Sequence, residues 1–89
     1  MPVDIAFELS YLLSDKLGED VSVENLSFDP ETGRLCIEAV VGDRRGRACI
    51  EVRACKGLRE EGKWVRCVSK NVVNNEKLLD ELVRGLRGG

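Results

Sequence analysis

"RLCIEAVVGDRRGRACIEVRAC", Arg34–Cys55, places two apolar-rich runs on either side of "GDRRG", Gly42–Gly46. Such a segment reads as two antiparallel strands around a hairpin turn. Alternation then sorts the side chains. Leu35, Ile37, Ala39 and Val41 share one face of the first run, and Ala48, Ile50, Val52 and Ala54 one face of the second. Pairing Val41 with Ala48 puts both sets on one side, the expected core. The other side carries Cys36, Glu38 and Val40 opposite Cys49, Glu51, Arg53 and Cys55.

Outward toward the N-terminus, "DPETG" marks another turn, with Pro30 setting its start and Gly33 free to take positive φ. "VSVENLSF" before it has the β-branched and aromatic content of a strand. From Pro2 to Leu17, Ile5, Ala6, Leu9, Leu12, Leu13 and Leu17 recur at spacings of three and four, which predicts a helix with Pro2 in its first turn and Gly18 as its stop. Toward the C-terminus, "KWVRCVS" reads as a fourth strand after the loop "KGLREEG". "NNEKLLDELVRGL" then supplies an Asn cap and the apolar stripe Leu78, Leu79, Leu82, Val83 and Leu86 of a second helix. The expectation is a single α+β domain over residues 1–89: helix, four-stranded antiparallel β-meander, helix. Both helices cover one sheet face, and residues 87–89 form a flexible tail.

The charge is unevenly distributed. The chain carries a net charge of −2, but residues 1–43 hold ten acids against Lys16 and Arg34, whereas residues 44–70 hold nine cations against Glu51, Glu60 and Glu61. A local basic face is what a phosphate backbone meets. One reading is that the two blocks neutralise each other across the fold; the other is that the basic block is a binding surface. On the open sheet face, Val65 and Cys67 of the fourth strand turn inward and leave Trp64, Arg66 and Val68 outside, near Val40 and Arg53. Arg44, Arg45 and Arg47 then line one rim, and Lys56, Arg59 and Lys63 the other. Apolar and aromatic platforms with flanking cations suit single-stranded nucleic acid, DNA or RNA, held without sequence readout. A register shift of one residue would turn Trp64 into the core instead.

The order helix, four strands, helix, with a sheet cleft and cationic rims, resembles the ThermoDBP-related single-strand-binding proteins of archaea. The resemblance implies a cleft for single-stranded nucleic acid and assembly through the C-terminal helix. It lies in topology and character, brings no signature motif, and carries over no binding residue. The same order is similar to the double-stranded-RNA-binding domain, but that family opens its last helix with clustered lysines, and "SKNVVNNEK" has only Lys70 and Lys77.

Other chemistry is thinly represented. The chain has no His, which removes the usual general base and the commonest metal ligand, and neither catalysis nor a cofactor is expected. Cys36, Cys49, Cys55 and Cys67 lack the close pairs of structural zinc sites, so they are expected as small buried hydrophobes. The charged, Gln-free composition suggests a thermophile. An intracellular disulfide in a hyperthermophile would join Cys36 and Cys55, diagonal neighbours on one face. Glu51 and Arg53 sit where restriction-type nucleases place an acid and a Lys, but Arg cannot shed a proton as a base. The ending "LRGG" matches ubiquitin-like modifiers, whose fold begins with a hairpin rather than a helix; Gly85 and Gly88–Gly89 read as helix fraying and a loose end. An acidic N-terminus argues against a signal peptide and the short apolar runs against a membrane span, so a cytoplasmic location is expected. The partners expected are therefore single-stranded nucleic acid or, in a different class, an acidic protein met by a protein-interaction or dimerisation domain. Leu79, Leu82, Val83 and Leu86 are the expected homodimer stripe.

Overall fold

The two residues Gly42 and Asp43 alone make the β-turn at the centre of the chain. The computed structural model describes residues 3–88 and shows α1 (Val3–Leu17), β1 (Val21–Asp29), β2 (Arg34–Val41), β3 (Arg44–Glu51), a 3₁₀ turn (Arg53–Cys55), α2 (Glu61–Val72) and α3 (Glu76–Gly88). Pro2 and Gly89, for which a helix start and a loose end were expected, lie outside the described residues. Arg87 and Gly88 of the expected tail are helical. Antiparallel β1, β2 and β3 form one sheet in that order. The α+β class stands, with three strands and three helices.

Gly42 has φ 62° and Asp43 has negative φ, the pattern of a two-residue II′ turn, whose twist matches that of the strands. The turn is shorter than "GDRRG", so Val41 pairs with Arg44 and Ile37 with Ala48. This corrects the expected Val41–Ala48 pairing. The shift is an even number of residues, so the faces survive: Leu35, Ile37, Ala39, Val41, Ala48, Ile50 and Val52 are all buried. Ala54 is not, because β3 ends at Glu51 and the 3₁₀ turn puts Cys55 inward instead. In β1 the pairing slips between Val23 and Asn25. The bulge at Glu24 lets Val21 and Val23, then Leu26 and Phe28, all face the core.

Helices α1 and α3 lie side by side on the core face, α1 over β1 and α3 over β3. Lys16 of α1 joins them through ion pairs to Glu76 and, at 3.1 Å, Asp80. The hydrogen bonds to Glu76 and then Asp80 hold the Lys16 ammonium above its ordinary pKa.

The segment "KWVRCVS" is helical. Trp64, Val68 and Val72 recur every four residues along α2 and are buried, while Lys63, Arg66 and Lys70 face solvent. Trp64 is 9% exposed and stacks on Phe28 with ring centroids 5.1 Å apart. This overturns the fourth strand and, with it, the place of Trp64, Arg66 and Val68 on an open sheet face. Phe28 supplies the reason. Its ring leaves the sheet on the core side, and a helix laying Trp64 over it buries both aromatics.

Leu79, Leu82, Val83 and Leu86 are buried under their own sheet, so the expected dimer stripe has no free face. Gly85 is no fraying point. A Cβ there would sit 2.6 Å from the Ala48 Cβ, so its hydrogen is what lets α3 approach β3. Gly85→Val is expected to lower stability by about 2–3 kcal/mol through overpacking. Gly85→Ala with Ala48→Gly should recover most of what Gly85→Ala alone loses. Urea denaturation of the three variants checks this, and equal stability of Gly85→Val and the parent would show that α3 stands off β3.

Candidate functional site

The two edges of the sheet are treated differently. On the β1 edge, Ser14 Oγ accepts from the Val21 N–H at 2.8 Å, and Ser10 Oγ accepts from the Val23 N–H at 2.8 Å. These hydroxyls of α1 and the Glu24 bulge blunt the first half of that edge. Among the described residues, no side chain hydrogen-bonds to the outer backbone groups of β3. Val41 and Arg44 flank the two-residue turn and exchange hydrogen bonds, so Gly46, Ala48 and Ile50 direct their backbone groups toward β2. Arg45, Arg47, Cys49 and Glu51 direct theirs away from the sheet, and among the described residues no strand pairs with that row.

The same four residues project their side chains from the open sheet face, since the core face belongs to Ala48 and Ile50. Across that face Val40 opposes Arg45, Glu38 opposes Arg47, Cys36 opposes Cys49 and Arg34 opposes Glu51. A disulfide joins Cys36 to Cys49, with Cα atoms 4.1 Å apart, the close spacing of a non-hydrogen-bonded pair. This corrects the Cys36–Cys55 expectation: the shorter turn brings Cys49 directly opposite Cys36, and Cys55 lies beyond the end of β3 in the 3₁₀ turn. Cys55 instead bonds Cys67 and fastens the 3₁₀ turn to α2, so every cysteine is oxidised.

The sequence-predicted cations are dispersed. Arg44 faces the helical side and donates to the Leu86 carbonyl oxygen at 2.9 Å, capping the C-terminus of α3, where a cation opposes the helix dipole. Arg59 pairs with Glu31 of the β1–β2 turn, and Arg53 lies 3.8 Å from Glu51 as an exposed local pair. Exposed Lys56 follows the 3₁₀ turn, next to the β1–β2 turn. Lys63 and Arg66 line the outside of α2 in the helical layer, away from the open sheet face. Only Arg45, Arg47 and half-buried Val40 remain together as expected, at the Gly42 end of the sheet. Among the described residues, neither Arg45 nor Arg47 has an ion-pair partner within 4.0 Å.

Direct contact between the acidic and basic blocks is sparse, although Glu38 lies opposite Arg47 across β2 and β3. Among the described residues, Arg59–Glu31 is the one ion pair joining an acid of residues 1–43 to a cation of residues 44–70. The exposed aromatics are also not where they were expected. Phe7 and Tyr11, 71% and 74% exposed, stand on the outer face of α1. Both fall outside the buried stripe of α1, a signal already present in its helical spacing. No helix among the described residues is long and apolar enough to cross a membrane. No family model, curated protein or solved structure matches the chain.

Proposed function

We propose that this chain is a non-catalytic interaction module that captures an acidic, extended segment of a partner protein by adding it as a strand beside β3. The observation that carries this reading is the backbone row of Arg45, Arg47, Cys49 and Glu51, with which no strand among the described residues pairs and on which neither Arg45 nor Arg47 has an ion-pair partner among those residues. Strand addition uses main-chain hydrogen bonds for affinity and alternate side chains for selectivity. Acids two residues apart on the added strand fall beside Arg45 and Arg47, whose planar guanidinium groups fork onto carboxylates.

Single-stranded nucleic acid is less well served. Trp64 is inside the core, and the exposed rings of Phe7 and Tyr11 stand among carboxylates. A second copy pairing through β3 meets a steric problem. Because α3 lies over β3, pairing would bring two helices, each about 10 Å wide, toward one strand spacing of about 4.8 Å.

The test uses fluorescence anisotropy with three labelled probes: a peptide alternating Glu and Val, one alternating Lys and Val, and a mixed-sequence single-stranded oligonucleotide. The Glu peptide should bind best, and Arg45→Glu with Arg47→Glu should weaken it about tenfold or more, as two exposed charge pairs are reversed, with little change in melting temperature. Equal binding of the Glu peptide by parent and variant would overturn the proposal. Tighter binding of the oligonucleotide would return the function to nucleic acid, and a dimer mass without any probe would assign the edge to a second copy.

A further inference from the structure

The largest exposed apolar side chains among the described residues, Phe7 and Tyr11, lie one turn apart on α1. Neither takes part in the core, which α1 reaches through Ile5, Ala6, Leu9 and Leu13. Among the described residues no other large apolar side chain is as open as these two adjacent rings, and such patches mark contact sites. The exposed charges of α1 itself are of one sign, and Tyr11 shares a groove with Asp15, Glu19 and Asp20, while Arg66 and Lys70 of α2 share one with Asp4 and Glu8. Asp4, Glu8 and Asp15 are the charged residues exposed on α1, and Glu19 and Asp20 follow directly beyond its end. Lys16, the single cation of α1, is half-buried and engaged by Glu76 and Asp80 on the α3 side.

We infer that this outer face of α1 docks a cationic, arginine- or lysine-bearing segment of a protein partner, at a site separate from the β3 edge. The charge pattern selects the occupant. Aromatic faces attract guanidinium and ammonium groups through their quadrupole, and carboxylates beside the rings add to the same attraction. A nucleic acid or an anionic lipid surface is repelled by the same carboxylates. A second copy presenting this face to itself would oppose acid to acid, which disfavours self-association here. The long stems of Arg and Lys can lie along the rings while their heads reach the acids.

The experiment titrates the isotope-labelled chain with an amidated peptide alternating Arg and Gly, and with a matched Glu–Gly peptide. The chain contains one Tyr, two Phe and one Trp, so the ring resonances are separable by NMR. The Arg peptide should shift the Tyr11 and Phe7 ring signals saturably and leave Trp64 unmoved, and the Glu peptide should shift neither. Phe7→Ala with Tyr11→Ala should weaken the Arg peptide about tenfold, as two exposed cation–π contacts are removed, while the thermal melt stays near that of the parent. Arg45→Glu with Arg47→Glu should leave this titration unchanged, which separates the site from the β3 edge. Undisturbed ring signals at millimolar peptide, or equal affinity in the Phe7/Tyr11 double variant, would overturn the inference.

Discussion

Trp64→Ala should lower the stability of the domain by about 3–5 kcal/mol, the usual cost of emptying a large aromatic site in a core. For a domain of this size, that corresponds to a fall of roughly 15–25 °C or more in melting temperature. The ring is 9% exposed and stacks on Phe28 at an interplanar angle of 17°, so its removal also strips the partner of a neighbour. Trp64→Phe should cost far less, because an offset aromatic pair is retained. Thermal melts followed by circular dichroism give both values. A loss of only a few degrees on Trp64→Ala would place the indole outside the core and reopen the sheet-face reading of this segment.

The second large effect concerns the disulfides. Cys36–Cys49 and Cys55–Cys67 span separations of 13 and 12 residues. In the chain-entropy description each loop of this length contributes about 3 kcal/mol. The two should nevertheless differ. Cys36 and Cys49 sit opposite each other on strands that the β2–β3 ladder already pairs. Cys55–Cys67 fastens α2 to the 3₁₀ turn, and the other anchors of α2 are buried Trp64, Val68 and Val72, the Trp64–Phe28 stack and the contact with α3. Replacing Cys55 and Cys67 by Ala is expected to cost about 3 kcal/mol or more, since Cys55 is also fully buried. Replacing Cys36 and Cys49 should cost about half as much, and native-state hydrogen exchange should show α2 opening first in the former variant. The reverse order of stabilities in urea titrations would contradict this placement of α2.

Much of the fold is legible in the residues. "DPETG" and "GD" carry their turn chemistry openly: the Asp29 carboxylate accepts from the Glu31 N–H at 2.9 Å, and Gly33 and Gly42 take φ 78° and 62°. The stripes of α1 and α3 follow helical spacing without interruption. "KWVRCVS" is different. Its Trp and Val favour strands, and seven residues hold barely two helical turns. The helical signal appears only when the window is widened to Val72, where Trp64, Val68 and Val72 align against Lys63, Arg66 and Lys70. The proposed surface on β3 is half legible. Arg45 and Arg47 follow from alternation, but the open backbone row of β3 depends on which strand ends the sheet. With "KWVRCVS" folded into α2, β3 is the strand that ends the sheet. The cystine pairing depended on the turn length around Gly42, which side-chain pattern alone leaves open.

The proposed function rests on the β3 edge accepting an added strand. Amide hydrogen exchange of the full chain, read residue by residue with and without the alternating Glu–Val peptide, tests it most directly. In the free protein, the amides of Arg45, Arg47, Cys49 and Glu51 should exchange much faster than those of Gly46, Ala48 and Ile50, which point to β2. Saturation with the peptide should slow alternate residues of β3, the first set, and leave the amides of α2 unaltered. Uniform protection of both sets in the free protein, or peptide binding without slowing at Arg45, Arg47 and Cys49, would contradict strand addition at this edge.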